Sequence, residues 1–219
     1  SLLVVPDNMP KTYFSYPGRY TNPLEKYEVQ KRIVQIIQNT KSNLTIYAYS
    51  LNDPEIIEEI HNAKKRGVSV KITLDKEKDY TALKEKGLEY SIWQSSGLHH
   101  LKVIVSDESL VFFGTGNFTK YGLTKDHNGY IEFTLDDEKK KAFDSLLKNT
   151  IDDPILLTNG MFFITSPKDG RRIQSQMLRE IRNAKSTIHY LIFDHFDPII
   201  SHFLKEASSR GIEVIGIYD

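Results

Sequence analysis

Apolar positions in this chain recur with two periods, one suited to strands and one to helices, and the two alternate along its length. Thr12 to Tyr16 reads as a short strand ended by Pro17-Gly18, and residues 19–25 as a turn-rich connection. Between Glu25 and Gln38, Ile33, Ile36 and Ile37 recur at helical spacing and predict an amphipathic helix. Leu44 to Tyr49 predicts a strand. Asp53-Pro54 then supplies an N-cap and a first-turn proline for a helix whose apolar stripe is Ile56, Ile57, Ile60 and Ala63. Gly67 ends that helix after Lys64, Lys65 and Arg66, cations that suit the negative end of the helix dipole. Further strands are predicted at 68–74, 89–93, 99–106 and 130–134, with Val111 to Phe113 leading into Gly114. A short helix is predicted at 79–86 and longer ones at 137–149 and 170–183. The alternation argues for an α/β layered architecture.

The pattern repeats. Lys41-Ser42 through Asp53-Pro54 aligns without a gap on Lys185-Ser186 through Asp197-Pro198. Asp53 and Asp197, Arg66 and Arg210, and Asp75 and Asp219 each stand 144 residues apart. Phe14 to Pro17 resembles Ile164 to Pro167 at a different offset, and residues 151–160 read as a linker. The expected organisation is one unit over residues 1–158 and the N-terminal part of a second over 159–219. On this reading the second unit stops short of its own copy of the stretch around His100, and the native chain is expected to continue.

Composition narrows the picture without directing it. A chain of 219 residues with 39% hydrophobic side chains can bury a sizeable core. Its 29 basic and 29 acidic residues cancel, so no global basic field announces a nucleic-acid binder. The absence of cysteine excludes disulfides and thiolate metal sites. No apolar run reaches the ~20 residues a membrane helix needs. The start Ser-Leu-Leu-Val-Val, without Met or a basic leader, reads as processed or truncated, with a lean toward an exported bacterial protein.

Candidate chemistry concentrates between Leu98 and Asn117. The order His100-x-Lys102-x4-Asp107 is followed, after six residues, by Gly114-Thr115-x-Asn117. Strand alternation puts His100 and Lys102 on one face and Leu101, Val103 and Val105 on the other, with His99 turned away from His100. Two polar groups on one strand face beside an apolar one are expected to form a site.

These residues resemble the signature of the phospholipase D superfamily. Ala48-Tyr49-Ser50, Ala63 through Ile72, and Asn117-Phe118-Thr119-Lys120 are similar to the bacterial phospholipase D-like nucleases within it. The resemblance implies a mixed β-sheet flanked by helices. It also implies phosphodiester cleavage in which one His attacks phosphorus, giving a phosphohistidine, while a second protonates the leaving oxygen. His100 and Lys102 would be catalytic, with Lys102 on the non-bridging oxygens and Asp107 fixing motif geometry. Thr115, Asn117 and Asn128 would bind substrate. Where many relatives carry Glu to hold the imidazole this chain has Asn128, a neutral acceptor, with Asp126 as a possible substitute. No cofactor or metal is implied.

Three functions follow as expectations: a nuclease acting on DNA or RNA, a phospholipase D or cardiolipin synthase-like lipid enzyme, and a non-catalytic binding module. The second motif would come from a further C-terminal segment or from a homodimer partner, so the 219-residue species is expected to be inactive as a monomer. The lysines from Lys76 to Lys86 and the run Lys139 to Lys141 read as solvated helix faces. Tyr47 and Tyr49 are expected to flank the cleft.

Overall fold

A computed structural model describes residues 9–17, 22–76, 78–94, 97–148, 155–156, 162–163 and 170–218. The chain divides into two compact units, Ser1–Phe143 with Leu157–Met161, and Asp144–Leu156 with Phe162–Asp219.

The first unit is a seven-stranded mixed sheet. Its elements run β1 (Lys11–Ser15), α1 (Pro23–Lys26), α2 (Glu28–Asn39), β2 (Asn43–Ala48), α3 (Pro54–Lys65), β3 (Ser69–Leu74), α4 (Thr81–Glu85) and β4 (Ser91–Ile92). They continue with β5 (Lys102–Ser106), β6 (Leu110–Gly114), α5 (Lys120–Thr124), β7 (Asn128–Thr134) and α6 (Asp137–Leu147), within which the division of the chain falls. The spatial strand order is β1-β7-β6-β5-β2-β3-β4. β2, β3 and β4 are parallel to one another; the remaining pairings are antiparallel. This is the α/β class that the hydrophobic pattern implies.

Several boundaries differ from the sequence reading, each for a local reason. The helix expected over 25–38 is two, because Asn22 caps a one-turn α1 with Pro23 at its first position, and Tyr27 interrupts before Glu28. The strand expected at 99–106 begins only at Lys102, since the His99 amide is taken by the Asp75 carboxylate at 2.8 Å. The 89–93 strand shrinks to Ser91–Ile92. Helix α5 escapes periodicity altogether, being five residues long with Gly122 buried at its centre. The 164–167 stretch and most of the expected linker lie outside the described residues.

A larger correction concerns the faces of β5. One apolar face was expected, but all five residues of the strand are buried. Ile104 packs in the main core with Ile46, Phe112, Ile33 and Ile56, on the side covered by α2 and α3. On the other side Phe133 meets Phe113 and the α6 residue Phe143 edge-on. β5 is thus a central strand with both surfaces layered, and Lys102 enters the unit on its core face.

The turn after β5 is held electrostatically. Asp107 and Glu108 both have positive φ, 51° and 61°, a conformation unfavourable for residues with a Cβ. The Asp107 carboxylate accepts hydrogen bonds from the amides of Lys41, Ser42 and Asn43, the shortest at 2.7 Å. Burial opposes its charge, yet the amides of Lys41, Asn43 and Ser42 outweigh that and hold the carboxyl below its ordinary value.

The second unit pairs β8 (Ile155–Leu156) with β9 (Phe162–Phe163), then runs α7 (Gly170–Asn183), β10 (Thr187–Leu191), α8 (Pro198–Ser209) and β11 (Glu213–Ile217). β10 and β11 are parallel, with Thr187 opposite Glu213; β2 and β3 are parallel, with Asn43 opposite Ser69. Each pair of positions is displaced by 144 residues from its counterpart. The cap contacts recur at the same offset. Gln30 donates to Asp53 at 2.7 Å, and Gln174 donates to Asp197 at 2.7 Å. Arg66 reaches the Ile37 and Gln38 carbonyls, as Arg210 reaches those of Ile181 and Arg182.

Asp107→Gly keeps the turn conformation, which glycine accepts, and deletes the acceptors. It should cost about 1–3 kcal/mol of unfolding free energy in denaturant titration at neutral pH. Because the folded carboxyl is depressed, that contribution is present above the unfolded value and fades as pH falls through the folded one. The difference between variant and wild type should therefore narrow below about pH 4.

Candidate functional site

The site gathers at the N-terminal end of β5. Lys102, 4% exposed, pairs across the ladder with Ala48, and one residue earlier the Leu101 carbonyl accepts from the Tyr49 amide at 3.0 Å. These bonds fix the segment leading into the strand, so His100 stands just outside the ladder with an exposed side. Its ring packs against Tyr49 with centroids 4.9 Å apart.

Lys102 is a cation inside the fold. Its ammonium donates to the His100 carbonyl at 2.7 Å and lies 5.3 Å from the Tyr49 ring centroid. Burial pulls it down to about 8, since a charged group loses hydration there. His100 is held below the ordinary imidazole value by partial burial, then by the charge of Lys102, with smaller contributions from His99 and Lys78. Asp75 pulls the other way. At neutral pH the imidazole is therefore biased toward its neutral, lone-pair-bearing form.

His99 is the structural partner that alternation indicates. It is 3% exposed, stacks on Tyr47, meets the Trp93 ring at a tilt of 48°, and its Nδ1 lies 3.3 Å from the Ala48 carbonyl oxygen. Burial lowers its pKa. Asp75, buried at the end of β3, anchors the His99 amide, and the Tyr80 hydroxyl donates to the Asp75 carbonyl at 2.5 Å. Burial beside Asp75 raises that phenol to about 12.

The Gly-Thr-x-Asn segment continues from β6 and rests on the start of β7. A Cβ at Gly114 would overlap the Gly129 carbonyl and the Tyr130 ring, and one at Gly116 would overlap the Tyr130 hydroxyl. Glycine at these positions is what allows the backbone so close. The Thr115 hydroxyl donates to Asn128 Oδ1 at 3.0 Å and accepts from the Gly129 amide. Asn128 Nδ2 donates to the Gly122 carbonyl at 2.9 Å, so both polar atoms of that side chain serve the loop. Asn128 thus braces Thr115 and the α5 backbone. Asp126 has its main-chain carbonyl bound by Ser15, and burial raises its carboxyl pKa. Among the described residues, Asn117 Oδ1 is buried without a hydrogen-bond partner. That orphan atom is an acceptor, able to receive a hydrogen bond from an N–H or O–H donor.

Two further placements stand out. Asp107 lies at the opposite end of β5 from Lys102, bound to the loop before β2, so its contribution to the site runs through the strand. Lys78, read from sequence as part of a solvated helix face, instead has its ammonium 4.4 Å from the Tyr49 ring centroid. No sequence signal indicates this, because it depends on how the segment after β3 folds back. Among the described residues no group of three His, Cys, Asp or Glu side chains is arranged to hold a metal ion, and no helix is long and apolar enough to cross a membrane.

Comparison with known proteins follows this geometry. A family model described as the phospholipase D-like domain of cardiolipin synthase matches residues 33–149. The chain is similar to a phospholipase D of Rickettsia typhi, 33% identical over 95 residues, covering 41% of this chain and 47% of that protein. It is also similar to the minor cardiolipin synthase ClsB of Bacillus subtilis, 29% identical over 140 residues, covering 58% of this chain and 33% of that protein. The chain thus spans about half, or less, of the length of these curated relatives. Among solved structures, the phospholipase D family member Nuc of Salmonella typhimurium superposes with a TM-score of 0.53 at 21% identity, over 72% of this chain and all of that one.

Two measurements probe this arrangement. Lys102→Met removes the nearest positive charge, so the His100 titration midpoint followed by ring-proton NMR should rise; an unchanged midpoint would show that burial alone sets it. Gly116→Ala should lose about 1–3 kcal/mol in denaturant unfolding, because Tyr130 and Asn128 must move to admit the methyl group.

Proposed function

The chain belongs to the phospholipase D-like family whose model it matches over residues 33–149, and we propose that it is a phosphodiesterase working through His100, most specifically a nuclease. The observation that carries the proposal is the pairing of an exposed, neutral-biased imidazole with a buried ammonium two residues away on a rigid central strand.

Chemically, a neutral His100 nitrogen attacks phosphorus. The bond from phosphorus to the leaving oxygen breaks as the P–N bond forms, and a second histidine delivers the proton that oxygen needs. Water then attacks the phosphohistidine, giving its proton to that second histidine, and the P–N bond breaks to release the phosphomonoester. Splitting one displacement in two lowers each barrier, and imidazole suits both roles because its proton affinity lies near neutrality. Lys102 opposes the charge that builds on the non-bridging oxygens, and its low-dielectric setting strengthens that effect. Thr115 and Asn117 line the substrate side of the site, with Asn128 and Asp107 holding the loop and the turn. No step requires a metal ion.

The 219 residues contain one His-x-Lys pair, so the second histidine belongs to another motif, in a second copy of the chain or in further polypeptide. The matching offsets of β10–α8–β11 and β2–α3–β3 favour reading residues 159–219 as part of a second unit of the same kind. The His100 ring is exposed and so open to a polymeric substrate, and the nuclease is the reading we favour. A lipid phosphodiesterase is the second reading, favoured by similarity to proteins named phospholipase D and cardiolipin synthase.

Hydrolysis of bis(p-nitrophenyl) phosphate, single-stranded DNA and phosphatidylcholine vesicles, each in EDTA, separates these readings. Diester turnover should survive EDTA and vanish in His100→Ala. Headgroup release with intact nucleic acid would replace the nuclease by the lipid enzyme, and no turnover by dimer or full-length protein would leave a binding module. For the active species, kcat/KM should fall above about pH 8 as Lys102 loses its proton. Lys102→Arg, which stays charged, should move that limb upward.

A further inference from the structure

The imidazole of His100 is held from two directions, by the end of β2 and by the end of β3. The residue after β2 is Tyr49, whose amide donates to the Leu101 carbonyl at 3.0 Å and whose ring centroid lies 4.9 Å from that of His100. The residue after β3 is Asp75, 1% exposed, whose carboxylate accepts from the His99 amide at 2.8 Å. The Tyr80 hydroxyl ties the two strand ends together, lying 2.5 Å from the Asp75 main-chain oxygen and 3.2 Å from that of Tyr49. The Trp93 amide secures the same edge by donating to the Leu74 carbonyl at 2.9 Å. His99 and His100 therefore leave the sheet at a fixed point. An acidic side chain holds the backbone of the first, and an aromatic one packs on the ring of the second.

The His99 amide needs only an acceptor, which a neutral asparagine would also supply. Burying a carboxylate is more costly than burying an amide side chain. What sets the carboxylate apart is its charge, and that charge reaches His100. Of the groups acting on the imidazole, Lys102 on β5, the neighbouring His99 and Lys78 after β3 weaken its hold on a proton, while Asp75 strengthens it. Asn128 brings no charge, and its polar atoms serve Thr115 and the Gly122 carbonyl. In the scheme above, the lone pair of one His100 nitrogen becomes the P–N bond while the other nitrogen keeps its proton. The ring is then positively charged, and a fixed negative charge in a setting of low dielectric favours that state over the neutral one.

We propose that Asp75 is a positioning residue for phosphoryl transfer. Through the His99 amide it fixes where His100 leaves the sheet, and its carboxylate opposes the positive charge that the ring acquires on taking the phosphoryl group. This rests on the reading of His100 as the nucleophile and adds to it the source of the counter-charge.

The test is ring-proton NMR of the histidines, with the His100 resonance assigned by its absence from His100→Ala. Asp75→Asn keeps an acceptor for the His99 amide and removes the charge, so the His100 midpoint should fall. Asp53→Asn neutralises another buried carboxylate, at the α3 cap, and should leave that midpoint in place. In the unsubstituted protein the His99 amide, which precedes β5, should still exchange slowly with deuterium, a readout that does not depend on the folding of any variant. An unchanged or raised His100 midpoint in Asp75→Asn, an equal fall in Asp53→Asn, or a His99 amide exchanging at the open-chain rate would each overturn the inference. With bis(p-nitrophenyl) phosphate and the active species, Asp75→Asn should lower kcat with KM retained and move the acid limb of kcat/KM to lower pH. A raised KM with kcat retained would assign Asp75 to substrate binding and overturn the positioning role. Absence of turnover by the unsubstituted protein would remove the phosphodiesterase reading and the transfer step with it, while NMR and exchange would still decide whether Asp75 holds and charges His100.

Discussion

A lysine ammonium on the core face of a central strand is the constraint around which the first unit is arranged. Removing a charge from water is costly unless other groups replace its hydration, and here the replacements are few. The His100 carbonyl accepts one hydrogen bond from Lys102, and the Tyr49 ring offers a face. Both contacts exist only because the backbone stays in register, with Ala48 opposite Lys102 and the Tyr49 amide on the Leu101 carbonyl. A slip of one residue would turn Lys102 to the opposite face and Val103 into its place. The charge thus fixes the register of the strand that carries the imidazole, and the sheet on either side of β5 inherits that register.

Much of this architecture can be read in the chain itself. Asp53-Pro54 and Gly67 bracket α3 because a cap and a left-handed terminus are local requirements, met by neighbours in sequence. The turning away of His99 likewise follows from alternation along one strand. What sequence could not convey was depth. Alternation distinguishes two faces of β5 but says nothing of what lies over either, and here α2 and α3 cover one while α6 covers the other. Lys102 is therefore buried where an exposed polar face was expected. Lys78 was misread for a related reason: a long flexible side chain goes where tertiary structure offers it a partner. Asn128 is the third case, because its proximity to Thr115 follows from β6–β7 pairing and not from any local pattern.

The repeat is more than a likeness of letters. The same glutamine-to-aspartate bond joins helix to helix cap in both halves, and the same arginine reaches back to the end of the preceding helix. Such contacts are made between elements distant in sequence, so a shared offset means a shared packing solution. Asp53 and Asp197 each place one oxygen on the first-turn amides and the other on a glutamine, using all of the carboxylate. Substituting such a residue would disturb a helix terminus and a helix–helix contact together.

The loop that follows β6 is also sewn to the start of α3. Leu51 and Phe118 form a bridge, and the Phe118 carbonyl accepts from the amides of both Asn52 and Asp53. With the glycines of Gly114-Thr115-Gly116 pressed onto β7, the segment bearing Thr115 and Asn117 is tied at both ends to regular structure. It has little conformational freedom left to surrender when a ligand arrives. Association at this site should then be governed by desolvation and charge, with a small ordering entropy, so that its enthalpy and entropy of binding report on water and ions and not on folding of the loop.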